Sequence, residues 1–384
     1  MRTGVRSVRS LLVGALALMV AGHLGVEEAG AQGSPDAGFP FGVEVPAMSD
    51  SGATLEFELV GELGTSDGEG ALGRIRDVAV SGDSIVAVLD DFGCMIHLFD
   101  LPDGMFSGAL GGCGEGPGEL LQPVSIAFKG DTLVVSDMGK RRLLYLDGEG
   151  EQIRSDTFPS ELGDAPIAQI DAHEGLLLWK PHWIGSSPER NMVAVHHRDG
   201  RREAGVPDPE VSFTNPDVTR LRTVGNACAF RDAPQVAVSN GWAVELIVLD
   251  AALDPIHRHQ EVEVTFEPEA VPPEYGGGWT TGFLASSGLA CAESIALWAF
   301  RRHDPDAREE GRLHVEKAFH FLATADGRIL GRRVVEDTAW PDVASQTPAA
   351  ASGDRFFFYQ NSWGPYPTVR IYEVRVGPEG DAVP

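Results

Sequence analysis

A strand–turn–strand pattern that returns after 48 positions constrains this chain more than any other feature. Residues 78–90 read VAVSGDSIVAVLD and residues 126–137 read IAFKGDTLVVSD. Each is an apolar strand, a Gly-Asp turn, and a second apolar strand ending in aspartate. A third strand follows in each unit, residues 95–100 (MIHLFD) and 143–147 (LLYLD), with a fourth near 105–110 and 152–158. The pattern continues more loosely. A third unit has strands at 167–173, 176–179 and 192–197, and a fourth at 224–230, 235–239, 244–250 and 256–264. The fifth has 284–290, 294–300, 318–323 and 329–335, and the sixth 349–352, 355–359 and 368–376. The first hairpin turns fall near Asp83, Asp131, Glu174, Pro234, Glu293 and Asp354, spaced 48, 43, 60, 59 and 61 residues apart.

Four short strands per unit, repeated six times, predict an all-β chain folded as a six-bladed β-propeller with four antiparallel strands per blade. The second strands, such as 84–89 and 355–359, are nearly all apolar, as strands buried on both faces must be. A sandwich gives no reason for a four-strand period recurring six times. The 46 glycines and 25 prolines fit a chain that turns often. The sixth unit has no fourth strand of its own. Residues 54–60, TLEFELV, lie ahead of the first unit without a hairpin partner. Completing the last blade with this strand closes the ring and removes an open edge. Leu55, Phe57 and Leu59 would then face the neighbouring blade, and Glu56 and Glu58 the solvent.

Before that strand, Arg2, Arg6 and Arg9 precede an apolar run over residues 11–21, and Ala29-Gly30-Ala31 has the small-x-small pattern. This reads as a signal peptide over 1–31, followed by a flexible Gly/Pro/Ser-rich leader over 32–52 and one propeller domain over 53–384. The first cysteine is Cys94, so no lipid-attachment cysteine sits at the cleavage site. The expectation is export to the periplasm or beyond, as a soluble monomer. A formal net charge of −27 opposes binding to phosphate backbones and anionic lipids, so neither nucleic acid nor membrane insertion is expected.

Four cysteines, Cys94, Cys113, Cys228 and Cys291, allow three pairings in an oxidising compartment. Cys94 begins a third strand and Cys113 lies in the next inter-blade loop, on the same face, which predicts a Cys94–Cys113 disulfide. Cys228 and Cys291 fall in or at the end of innermost strands, where buried thiols and a bond are equally consistent.

The inter-blade connection over 109–126 reads ALGGCGEGPGELLQPVSI, with a degenerate copy, ELGTSDGEGALGRIRDV, over 62–78. With LVVSDMGKRRLLYLD over 133–147, it resembles the NHL-like and TolB-like six-bladed propellers, in particular a bacterial exported group carrying G-x-G-x-G-P-G-E before an innermost strand. The motif resemblance spans 54–158, and beyond that it rests on strand spacing. It implies a six-bladed ring around a channel, export, and usually no assigned activity. Related propellers include gluconolactonase-type hydrolases, antibiotic-inactivating lyases and peptide-amidating lyases, whose catalytic histidines and acidic metal ligands find no matching motif here.

The glycine-rich GGCGEGPGE, residues 111–119, lacks the Lys-Ser/Thr ending and following helix of a phosphate cradle, and reads as a blade-to-blade crossover. His196 and His197 are adjacent on a strand and point to opposite faces, while His257 and His259 share a face of an outermost strand, far from the channel. No metal ligands and no resident cofactor are therefore named, with a divalent ion kept as the alternative. In a propeller, the loops before the innermost strands and between second and third strands share one face and rim the channel. That rim would carry Arg76, Asp91, Lys140, Arg141, Lys180, His182, Trp183, Arg222, Trp279, Asn361 and Trp363, together with Arg74, Gln122 and Arg220. Cations with loop tryptophans suit a protein, a carbohydrate-like ligand or a small anion. The tryptophans serve equally well as plugs of the channel. The functional expectation is a non-catalytic binding or scaffold propeller, with a hydrolase or lyase at the channel mouth as the alternative.

Overall fold

The computed structural model describes residues 45–101, 103–158, 167–173, 176–181, 191–196, 202–207, 225–240, 245–261, 269–270, 279–280, 288–303, 315–338, 346–361 and 366–377. These form six blades of four antiparallel strands and one separate two-stranded pair. Blade 1 is Ile75–Ser81, Ile85–Asp90, Met95–Asp100 and Met105–Gly111. Blade 2 is Pro123–Lys129, Thr132–Asp137, Arg142–Leu146 and Gln152–Thr157. Blade 3 is Ile167–His173, Leu176–Pro181, Asn191–His196 and Arg202–Pro207, and blade 4 is Ala227–Ala229, Val236–Asn240, Glu245–Leu249 and Pro255–Gln260. Blade 5 is Gly288–Cys291, Ile295–His303, Val315–Thr324 and Arg328–Thr338. Blade 6 takes Thr347–Ser352, Arg355–Gln360 and Thr368–Val376 from the end of the chain and Leu55–Leu63 from near its start. The fold is thus the six-bladed β-propeller expected from the repeat. A short pair, Glu269–Ala270 with Trp279–Thr280, stands outside the blades.

The core lies between blades, which explains why the second strands are apolar throughout. In blade 6, Phe356 and Phe358 pack with Leu297 and Leu322 of blade 5, while Phe357 between them packs with Ile75, Val86 and Val88 of blade 1. In blade 1, Ala87 and Leu89 turn the other way, to Ile126, Leu133 and Val135 of blade 2. A two-residue period thus feeds a different neighbour from each face of one strand. The largest aromatic group, Trp298, Phe300, Phe319 and Phe321, fills the space between blades 4 and 5.

Leu55–Leu63 pairs antiparallel with Thr368–Val376, from Leu55 opposite Val376 to Leu63 opposite Val369, so the ring closes as expected. The expected facing holds for Leu55, which is buried, and for Glu56 and Glu58, which are exposed. It fails at Leu59, which is 53% exposed. A bulge between Leu59 and Gly61 shifts the register there, and burial resumes at Leu63.

The leader expected to be irregular through residue 52 is built in from residue 45 onward. Arg258 of blade 4 donates its amide to the Pro46 carbonyl and accepts from the Met48 amide at 3.0 and 2.7 Å. Ser49–Asp50 then pairs parallel with Arg328 and Ile329 on the outer strand of blade 5. The Arg332 amide donates to the Ala53 carbonyl at 2.9 Å. Met48 is buried among Trp298, Phe319 and Phe321. The segment laces the outer edges of blades 4 and 5 before entering blade 6. Its composition resembles a linker, but the backbone bonds that fix it are independent of side-chain type.

Innermost strands of neighbouring blades diverge too far for a continuous ladder, so other groups clasp them. Asp77 of blade 1 accepts from the Ser125 hydroxyl at 2.5 Å and the Ile126 amide at 2.9 Å. Ser125, the repeat counterpart of Asp77, in turn accepts from the Ile170 amide of blade 3 at 3.0 Å. Gln169 and Asp171 of blade 3 accept from the Ala227 and Ala229 amides of blade 4, each at 2.8 Å. A Cys228–Cys291 disulfide joins blades 4 and 5. The Arg301 guanidinium donates to the Thr347 hydroxyl at 2.7 Å, joining blades 5 and 6. Asn361 both accepts from the Ile75 amide and donates to its carbonyl at 2.6 Å, joining blades 6 and 1.

Candidate functional site

The channel itself is narrow. Its cavity volume is about 30 Å³, lined by Asp77–Val80 and by innermost-strand residues of the other five blades. Among the described residues that cavity has room for a water. Asp77 sits in it, and burial pushes its carboxyl up to about 6, with Asp171 adding to the rise and bonds from Ser125 and Ile126 opposing it. The folded protein therefore holds this proton more tightly than the unfolded chain. Stability from this group is fully present below the ordinary aspartate value and is lost as pH rises towards 6. A rise of about two units corresponds to about 3 kcal/mol. Asp77→Asn should flatten the melting temperature between pH 4 and about 6.5. A wild-type melting temperature already flat over that range, once compared with the variant, would refute the assignment.

In blades 1 and 2, the face of the ring that carries the crossovers and the second-to-third-strand loops is organised by the aspartate ending the second strand. The Asp90 carboxylate accepts from the amides of Gly73, Arg74 and Phe92 at 2.7, 3.0 and 3.0 Å. Asp137, its blade 2 counterpart, accepts from the Gln122 amide at 2.9 Å and from the Arg142 guanidinium at 3.4 Å. Both carboxylates are buried. The glycine-rich crossover is pinned in a similar way. The Glu119 carboxylate accepts from the Gly116 amide at 2.6 Å, and a Cβ on Gly114 would lie 2.1 Å from the same carboxylate. The place where a phosphate would sit is filled by the chain's own glutamate, which supports the crossover reading. The expected Cys94–Cys113 disulfide is present and ties this loop to the blade 1 turn.

Among these loops opens a pocket of about 310 Å³, lined by Arg74, Ile75, Arg76, Asp91, Leu121, Gln122, Pro123, Val124, Met138 and Asn361. It brings together five of the residues expected on the rim. Their roles differ. Arg74 holds Asp91 in a two-pronged ion pair at 2.5 and 3.0 Å, and Asn361 spends both amide atoms on Ile75. Arg76 is exposed, and it makes no hydrogen bond or ion pair among the described residues. The Lys140 ammonium donates to the Glu119 carbonyl at 3.0 Å, so it braces the crossover and does not line the pocket. Arg141 occupies the blade 2 turn with φ of 50°, the value Cys94 has in the blade 1 turn. Lys180 and Trp279 lie on strands whose side chains here are outside the described residues, as are His182, Trp183, Arg222 and Trp363 altogether.

The pocket walls Leu121, Val124 and Met138, and the channel carboxylates Asp77 and Asp171, were missed by sequence reasoning. For Asp77 a signal existed, since it and Ser125 occupy the same place in consecutive repeats. His259 packs on Trp298 and Phe321, and His320 is buried against Phe57, its pKa lowered to about 3 by burial and then by Arg333 and Arg301. Among the described residues no three His, Cys, Asp or Glu side chains converge to hold a metal ion.

Residues 55–217 match the family model DUF5128, described as a 6-bladed beta-propeller. No curated protein matches the chain by sequence. Solved structures do. A DUF4221 family member from Bacteroides vulgatus aligns with a TM-score of 0.55 at 10% identity, over 85% of this chain and 99% of that one. A Bacteroides fragilis protein described as exported gives 0.56 at 10% identity, over 87% and 98%. The PQQ-bound aldose sugar dehydrogenase of Streptomyces coelicolor gives 0.51 at 14% identity, over 84% and 99%. At such identities the likeness is one of fold, and no residue, cofactor or substrate carries across.

Proposed function

We propose that this chain is an exported, non-catalytic binding propeller of the NHL-like kind, whose pocket between blades 6, 1 and 2 holds an anionic group of its ligand. The observation that carries the reading is Arg76: an exposed guanidinium with no counter-ion among the described residues, at a 310 Å³ pocket, in a chain of net charge −27. A cation left unpaired among so many carboxylates is positioned for a charge supplied from outside. Of the charged side chains that line the pocket, Arg74 and Asp91 pair with each other, and Arg76 is the remaining one. Export is supported by the basic, apolar and small-residue succession of the first 31 residues and by the two disulfides.

The test is ligand-induced stabilisation by an organic carboxylate, with benzoate as the probe. At a hundredfold excess over Kd, wild type should gain about 2.7 kcal/mol. Arg76→Glu should lose that gain while its own unliganded melting stays near wild type, because the side chain is exposed and makes no hydrogen bond or ion pair among the described residues. Equal stabilisation of wild type and Arg76→Glu would move the site elsewhere.

A further inference from the structure

The pocket cannot be the whole of the binding surface. Its volume of about 310 Å³ is at the small end of ligand sites. Yet Leu121, one of its walls, is 47% exposed, and Phe92, next to the lining residue Asp91, is 79% exposed. A ligand confined to the pocket leaves this apolar surface bare.

The loop bearing Phe92 is also held rigid. Asp90 accepts the Phe92 amide, and Cys94, two residues on, is fixed by its disulfide to Cys113. An exposed aromatic on a pinned loop loses little freedom when it is covered, which is the property of an interface anchor. The remaining chemistry narrows what covers it. One guanidinium, unpaired among the described residues, matches a monoanion with two in-plane oxygens, a carboxylate, better than a dianion. The walls Leu121, Val124 and Met138 are apolar, Asn361 has both amide atoms engaged and Arg74 holds Asp91 through Nε and Nη2, so beside Arg76 only Gln122 and Arg74 Nη1 would meet sugar hydroxyls.

We infer that the pocket receives the C-terminus of a polypeptide, with its carboxylate on Arg76, an aliphatic last side chain against Leu121, Val124 and Met138, and the preceding residues crossing Phe92. The inference rests on the reading of the pocket as an anion site.

Fluorescence anisotropy tests it with N-terminally labelled Gly-Gly-Ser-Ala-Leu as the free acid, the same peptide as its C-terminal amide, a version ending in Ser, and unlabelled benzoate as competitor. The acid should bind at least about tenfold more tightly than the amide and than the Ser-ended peptide. Phe92→Ala should weaken the peptide about tenfold and leave benzoate unchanged. Equal binding of acid and amide overturns the inference. If benzoate binds through Arg76 but the peptide does no better and Phe92→Ala is silent, the anion site stands and the polypeptide reading falls. If neither benzoate nor peptide binds, both fall.

Discussion

A chain beginning at Gly64 is expected to melt far below wild type and to self-associate. Removing Leu55–Leu63 deletes the outer strand of blade 6 and bares Thr368–Val376 along its length. It also takes Leu55 and Leu63 out of the cores on either side of that blade. Each buried side chain of this kind contributes roughly 1.5–3 kcal/mol before the lost ladder is counted, and an unpaired edge templates association. A chain beginning at Ala53 isolates the lacing segment. It keeps the closing strand but loses Met48 and the pairing of Ser49–Asp50 with blade 5. An intermediate loss is expected, about 2 kcal/mol or more. Thermal melts and light scattering read both. Wild-type melting and a monomeric state for the chain beginning at Gly64 would contradict the closure.

The second large effect lies at the joint between blades 4 and 5. The Cys228–Cys291 bond spans 63 residues, so on a chain-entropy view it removes about 4 kcal/mol of freedom from the unfolded state. The Cys94–Cys113 bond spans 19 residues and corresponds to about 3 kcal/mol. Paired alanine substitution at Cys228 and Cys291 should therefore destabilise more than substitution at Cys94 and Cys113. The opposite order in denaturant midpoints, at unchanged slope, would show that the inner joint is held without the bond.

The architecture was legible because the repeat carries it. Alternation on the second strands is not between core and solvent but between two neighbouring blades, so Phe356, Phe357 and Phe358 read as one apolar run and still have fixed facings. The closing strand was legible as the partner that blade 6 lacked. Two features were not. The bulge at Leu59–Gly61 depends on register against Thr368–Val376, which no local pattern encodes. The lacing of residues 46–53 depends on backbone groups, which every sequence possesses. At the rim, the expectation placed Arg74, Arg76, Asp91, Gln122 and Asn361 on one face, and they do line one pocket. What sequence spacing could not rank is which polar groups are already spent. Asn361 and Lys140 looked like ligand-binding groups and are clasps, while Arg76 makes no hydrogen bond or ion pair among the described residues.

Hydrogen–deuterium exchange with and without saturating benzoate tests the binding account most directly, since protection reports where a ligand closes local openings. The account predicts protection at residues 73–76, 91–93 and 121–124 and at Met138, which surround the pocket. It predicts none at the hairpin turns near Asp83, Asp131 and Asp354, at the other ends of the innermost strands. Protection confined to those turns, with the Arg76 loop unchanged, would contradict it.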